Sequence, residues 1–263
     1  MQVRAKKSLG QHFLTDLSIA GRIAATLDDH RCRATLEVGP GMGVLTRPLL
    51  EGCHDLRVVE LDRESVAYLR QNFPELDGRI IEQDFLRLDL SDLYQGQPIN
   101  IIGNYPYNIS SQIFFKVLDH KDMVVCCSGM VQREVAQRIA APPGGKTRGI
   151  LSVLLQAWYD VEYLFTVDEH VFNPPPKVKS GVIRLTRNGV DRLDCDEKLF
   201  KTIVKTAFGQ RRKTMRNSLR PLLPPMSDAL SHRYFTLRPE QLSVEQFIEL
   251  TRLVTQARQT PEV

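Results

Sequence analysis

Apolar residues run along this chain in two alternating patterns. Short apolar runs recur at residues 34–38, 56–59, 79–82, 99–102 and 123–127, as strands buried in a parallel sheet do. Between several of these runs, apolar positions repeat every three or four residues. Residues 16–27 place Leu17, Ile19, Ala20, Ile23, Ala24 and Leu27 on one face behind Thr15 or Asp16 as a cap, which predicts a helix. Helices are likewise expected over 44–50, after a Ser110 cap (Ile113, Phe114, Val117 and Leu118 inward), over 131–140 and over 150–157. Strands at 159–167 and 181–186 would complete a sheet of seven, and beyond Asn188 the pattern is helical. The expectation is an α/β domain over residues 1–188 and a small α-helical domain over 189–263.

The polar residues that interrupt the pattern carry the candidate chemistry. The first strand runs into Gly39-Pro40-Gly41-Met42-Gly43 and then a helix. Glycines let a ligand approach the backbone, and a helix start presents free N–H groups. The second strand ends in Glu60-Leu61-Asp62, with Glu60 21 residues beyond Gly39. An acid at that spacing grips ribose hydroxyls in dinucleotide enzymes, since a carboxylate accepts both hydrogen bonds of a cis-diol. Asp84 follows the third strand as a candidate acceptor for an adenine amine, with Phe85 or Leu61 to cover the ring. This unit alone does not choose between NAD and S-adenosylmethionine, although its GxGxG spacing departs from the dinucleotide GxGxxG.

The fourth strand leads into Gly103-Asn104-Tyr105-Pro106-Tyr107. Gly103 is expected to end the strand, and Pro106 stiffens the loop by fixing its own φ and restricting Tyr105. Stiff loops at the carboxyl ends of parallel strands are where open α/β sheets place ligands. An amide beside a flat aromatic face suits a planar heterocycle bearing an exocyclic amine. Acceptors after three successive strands and a substrate loop after the fourth are the sequence of parts a methyltransferase needs.

Composition narrows the setting. The chain has 263 residues, 42% hydrophobic and 25% charged, with a net charge of +4, ordinary for a globular protein. Five cysteines (Cys32, Cys53, Cys126, Cys127, Cys195) lack CxxC spacing, so neither a disulfide framework nor a metal site is expected, and a reducing cytosol fits. No apolar run approaches the roughly 18 residues that span a bilayer, and no signal-peptide core follows the basic start; a soluble, cytoplasmic protein is expected. Gly144-Gly145-Lys146-Thr147 resembles the tail of a P-loop, but Ala140 stands where its first glycine belongs. The charge is concentrated. Residues 198–220 hold eight basic side chains, Arg211, Arg212, Lys213 and Arg216 among them, and no acid. A solvated helix face usually brings compensating acids, so a nucleic-acid contact is the better reading. Arg212, Arg216 and Arg220 recur at i, i+4 and i+8, as if stacked on one helix.

Taken together these motifs resemble the ribosomal RNA adenine dimethyltransferases. The matching pieces are Gly10-Gln11-His12-Phe13-Leu14, Glu37-Val38-Gly39-Pro40-Gly41, Glu60-Leu61-Asp62, Asp84, Asn104-Tyr105-Pro106-Tyr107, Phe172-Asn173-Pro174-Pro175-Pro176-Lys177-Val178 and Phe208-Gly209-Gln210-Arg211-Arg212-Lys213-Thr214. They span nearly the whole chain in the family's order. The resemblance implies a Rossmann-like methyltransferase domain with a small helical domain. It implies two methylations on each of two adjacent adenines near the 3′ end of small-subunit rRNA, and a part in subunit maturation. By the same resemblance His12, Leu14, Gly39, Gly41, Glu60, Asp84 and Asn104 contact S-adenosylmethionine, while Asn104, Pro106, Tyr107 and Phe172 hold the target base. Tyr105 stands where the family usually has an aliphatic residue, and His12 where Asn is commoner. The expected partner is the small-subunit precursor and its rRNA, met by a monomer away from any membrane. A related enzyme acting on large-subunit rRNA, a DNA adenine methyltransferase, an assembly factor valued for binding alone and an NAD oxidoreductase are the competing readings.

Overall fold

The computed structural model describes residues 3–29, 34–52, 55–225 and 227–259; Cys32 and Cys53 lie outside them. In chain order the elements are β1 (Phe13–Leu14), α1 (Leu17–Ala24), β2 (Ala34–Val38), α2 (Thr46–Glu51), β3 (Asp55–Glu60), α3 (Arg63–Asn72), β4 (Ile80–Glu82), α4 (Leu90–Tyr94), β5 (Ile99–Asn104), α5 (Ser110–Asp119), β6 (Val124–Gln132), α6 (Arg133–Ile139), α7 (Ile150–Gln156), β7 (Tyr159–Val167), β8 (Phe172–Asn173), β9 (Ser180–Arg187), α8 (Glu197–Gly209), α9 (Met215–Leu219) and α10 (Val244–Gln259).

Seven strands form one sheet in the order β4-β3-β2-β5-β6-β9-β7. Strands β2 to β6 pair in parallel, and β9 turns antiparallel to β6. The chain winds outward from β2 through β3 to β4, then returns to β5 on the other side. The crevice at the carboxyl ends of β2 and β5 is therefore the switch point where such sheets bind ligands. The expected α/β class with a seven-strand, Rossmann-like sheet is the observed one. α1 begins where expected, with Asp16 Oδ1 accepting from the Ser18 and Ile19 N–H groups at 2.9 and 3.2 Å. Its inner face buries Ala20, Ile23 and Ala24.

Three local expectations are corrected. Gly103 does not end β5; the strand continues to Asn104, with Gly103 opposite Gly129 and Asn104 opposite Met130. A Cβ at position 103 would lie 2.6 Å from the Val38 carbonyl oxygen, so this glycine serves close approach and not chain reversal. β6 correspondingly runs to Gln132, well past Cys127. Ser110 does not cap α5: Ile109 holds the cap position, and the Ser110 hydroxyl donates to the Tyr107 carbonyl at 3.2 Å.

By its contacts the chain divides into two compact units, one running to Gln137 and including Asp160–Arg187, the other made of Arg138–Tyr159 and the chain from Asn188. The second unit thus takes in residues 138–159, which the sequence pattern places in the first domain. Its core lies along α8, whose Phe200, Ile203, Val204 and Ala207 are buried and which packs on α7, α9 and α10. The basic stretch 198–220 is not one helix: α8 ends at Gly209 and α9 starts at Met215. Arg212 therefore sits in a turn, and the i, i+4, i+8 ladder does not form. No helix among the described residues is long and apolar enough to cross a membrane.

Candidate active site

A cavity of about 270 Å³ opens at the switch point in the first unit. Its floor is the glycine loop after β2. Gly39, Gly41 and Gly43 all have positive φ (69°, 57° and 77°), a region open to glycine at little cost. A Cβ on Gly41 would meet the Phe13 ring at 2.8 Å. The loop is thus pressed against β1 on one side and open to the cavity on the other.

Glu60, at the end of β3, is 6% exposed and lines the cavity. Its Oε2 accepts from the Gly41 N–H at 3.1 Å and its Oε1 from the Asp62 N–H at 2.8 Å. Burial raises its pKa, and the backbone donors of Asp62, Gly41 and Leu61 offset part of that rise. A carboxylate has about four acceptor sites, so capacity remains for a further donor. Asp84 caps the turn that follows it, Oδ1 accepting from the Leu86 N–H at 2.9 Å. Leu61, at 52% exposure, and the buried Phe85 both line the same cavity.

Asn104 closes the opposite wall. Its Nδ2 donates to the His12 carbonyl at 2.9 Å, so the side chain is held by the segment leading into β1. That segment is pinned twice more. β1 pairs antiparallel with β8, Leu14 opposite Phe172, and the His12 Nδ1–H donates to the Pro174 carbonyl at 2.8 Å. The His12 ring lies 5.5 Å from that of Tyr107, tilted by 32°. Tyr107 is half-buried; burial raises its pKa against the effect of a 2.6 Å hydrogen bond with Ser180 Oγ.

A family model described as "Ribosomal RNA adenine dimethylase" matches residues 2–256. The chain belongs to this family. It is 68% identical over 249 residues to the ribosomal RNA small subunit methyltransferase A of Parabacteroides distasonis, covering 95% of this chain and 93% of that one. The corresponding protein of Porphyromonas gingivalis is 64% identical, covering 97% and 100%. Among solved structures, the 23S rRNA methyltransferase ErmE superposes with a TM-score of 0.69 at 26% identity, covering 91% of this chain and 99% of that one. A dimethyladenosine transferase from Plasmodium falciparum, at 21% identity, shares the fold with a TM-score of 0.79 over 94% and 98% of the two chains. The protein is an rRNA adenine dimethyltransferase.

Of the residues that the family resemblance singles out, the cavity brings together His12, Leu14, Gly39, Gly41, Glu60, Asp84, Asn104, Pro106 and Tyr107. Phe172 is placed differently. Expected to hold the target base, it is 4% exposed within an apolar cluster with Leu14 and Ile23 and does not line this cavity. Pairing β8 with β1 turns its side chain into the core. Tyr105 also points inward: 1% exposed, it donates its hydroxyl to the Ser128 carbonyl at 2.7 Å. Its ring lies between Gly103 and Gly129, where a Cβ on either would come within 3 Å of it. The departure from an aliphatic residue is thus accommodated behind the loop.

Two groups, one in the cavity and one outside its lining, drew no role from the sequence. Glu37, 1% exposed on β2, lines the cavity and accepts from the Thr46 hydroxyl at 2.7 Å. Burial pushes its pKa up to about 8. Lys6 pairs with Asp62 and, at 3.1 Å, with Glu64, while Gln11 donates to Asp62 at 3.4 Å. Burial opposes the ionisation of Asp62, and the Lys6 ammonium and its other donors outweigh it, leaving the pKa below the ordinary value. An acid in a strand otherwise buried on both faces was the available signal for Glu37. The Lys6 contact spans 56 positions, and no local pattern announces it.

Proposed function

We propose that the chain uses S-adenosylmethionine to place two methyl groups on the N6 amine of each of two adjacent adenines near the 3′ end of small-subunit rRNA, acting as a cytoplasmic monomer on the subunit precursor. The observation that carries this reading is that the Asn104-Tyr105-Pro106-Tyr107 loop and the glycine loop line one cavity together with Glu60 and Asp84. The residues suit the cofactor. The glycine loop offers a side-chain-free floor, Glu60 retains acceptor capacity for a ribose diol, Asp84 suits an adenine amine, and Leu61 offers an apolar face. Bound there, S-adenosylmethionine supplies a methyl group carried on a positively charged sulfur.

The chain's own residues would do the rest. The adenine amino lone pair is delocalised into its ring and attacks poorly. With Nδ2 committed to His12, Asn104 keeps Oδ1 as an acceptor for one N–H of that amine. The Pro106 carbonyl, which accepts from the Ile109 N–H at 3.2 Å, has a second lone pair for the other N–H. Two acceptors at the amine draw its nitrogen toward sp³ geometry and free the lone pair. Tyr107 presents a π face for an adenine taken out of its stack. Carbonyl dipoles and a π face also suit the positive charge that develops on that nitrogen. The buried Phe172 supports this wall through β1 and does not itself stack on the base in the described arrangement. Arg212, Lys213 and Arg216 of the second domain are assigned to rRNA contact, with Arg211 holding the turn that presents them.

The test offers labelled S-adenosylmethionine to naked small-subunit rRNA, to immature small subunits and to large subunits, and maps the label. Label confined to N6 of two neighbouring adenines near the 3′ end of the small-subunit RNA is expected. Label on large-subunit RNA alone would overturn the substrate assignment.

A further inference from the structure

The basic turn after α8 is tied to a loop from a distant part of the chain. Residues 141–149 leave α6 and enter α7, and residues 142–147 are exposed. The base of this loop is clasped shut. Arg148, wholly buried, donates from Nη1 to the Ala141 carbonyl at 2.6 Å and to Gln156 Oε1 at 2.7 Å. Gln156 Nε2 in turn donates to the Ile139 and Ala141 carbonyls at 2.9 and 3.1 Å. The Gly144 N–H holds the tip, donating to the Glu240 carbonyl at 2.8 Å. Across the top, Arg211 Nη2 donates to the Lys146 carbonyl and, at 3.4 Å, to that of Arg148.

A guanidinium committed to two backbone carbonyls is a strut more than a free phosphate ligand. Lys146, Arg212 and Lys213 are exposed, and neither 141–149 nor 198–220 contains an acid. Glu240, the acid whose backbone meets the loop, has its side chain buried. We infer that the 142–147 loop and the 211–213 turn form one RNA-phosphate surface, in which Lys146, Arg212 and Lys213 meet phosphates and Arg211 positions the loop. This rests on the rRNA reading above and adds to it a contact from outside the basic C-terminal stretch.

Binding of the full-length protein to in vitro transcribed small-subunit rRNA, measured at several salt concentrations, tests it. Removing one phosphate contact reduces the log–log salt slope by roughly 0.9, borrowing the duplex DNA coefficient, so the affinity falls about eight-fold less per decade of salt. Lys146→Ala is expected to reduce the slope by about that amount, as are Arg212→Ala and Lys213→Ala, with cofactor affinity and melting temperature unmoved. In an Arg211→Ala background Lys146→Ala is expected to cost less than in the wild type, because the loop is already released. A Lys146→Ala slope equal to the wild type, with Arg212→Ala and Lys213→Ala still shallower, overturns the joint surface and leaves the rRNA reading standing. Three unchanged slopes overturn both. Tighter binding to vesicles of phosphatidylserine than to RNA would make this a lipid surface and end the proposal.

Discussion

The side-chain amide of Asn104 donates to the backbone carbonyl of His12 at 2.9 Å, and this one contact decides which way the amide faces. The NH2 end is bound to the segment before β1, so the oxygen end is the one available to a substrate amine. Asn104→Ala removes that acceptor along with the tie. Loss of a single preorganised polar group at a reacting centre costs about 10² to 10³ in kcat. Single-turnover methylation is expected to fall by at least that lower figure, with a smaller change in cofactor affinity. A variant that still dimethylates at near the wild-type rate would show that the amine is held by something else.

Glu60 should act on the cofactor and not on RNA. Replacing it with Ala removes an acceptor pair and also strands the Gly41 and Asp62 N–H groups that it now satisfies. A charged hydrogen bond contributes about 1.5–3 kcal/mol, so S-adenosylmethionine should bind roughly 10- to 150-fold more weakly for each such bond lost. Calorimetry with cofactor, alongside filter binding with rRNA, separates the two affinities. Unchanged cofactor binding would remove Glu60 from the ribose role.

Much of this site was legible because parallel strands announce themselves as apolar runs and ligand loops follow their carboxyl ends. β2, β3 and β5 could be placed to within two residues, and with them the glycine loop, Glu60 and Asn104. What escaped was non-local. The pairing of Leu14 with Phe172 joins two-residue strands 158 positions apart, and no periodicity exists over so short a span. It is this pairing that buries Phe172. Gly103 was misread because a glycine needed for close approach and a glycine that breaks a strand look alike in sequence. α3 drew no expectation, since Arg63–Asn72 buries only Ser65, Val66 and Leu69.

Tyr105 provides a test of stability without chemistry. Its hydroxyl meets the Ser128 carbonyl and, at 3.3 Å, the Cys127 sulfur, and its ring is nearly inaccessible. Tyr105→Phe should destabilise the protein by about 1–3 kcal/mol through an acceptor left without its donor. Tyr105→Leu should cost more, because a cavity is added. Methyl transfer per folded molecule should persist in the Phe variant. A Phe variant that melts with the wild type would mean the hydroxyl contributes nothing to stability.

The buried carboxyl of Glu37 sets a pH dependence whose sign is opposite to that of an ion-paired acid. Burial pushes its pKa from 4.5 up to about 8, the nearby charge of Glu60 adds to the rise, and the Thr46 hydroxyl works against it. Between those two values the folded chain holds a proton that the unfolded chain has released. Stability therefore falls as pH rises through this window, by up to about 1.4 kcal/mol per pH unit. The contribution is complete below the unfolded value and spent above the folded one. Glu37→Gln keeps an oxygen for the Thr46 hydroxyl and cannot ionise. Its stability should accordingly decline less between pH 5 and pH 8 than that of the wild type. The informative quantity is the difference in slope, since the new amide must itself be buried and can shift the level at every pH. Denaturant titrations at half-unit pH intervals supply that slope. Parallel pH profiles for the two proteins would mean that Glu37 stays ionised in the folded state, and that its cavity is wetter than its 1% exposure implies.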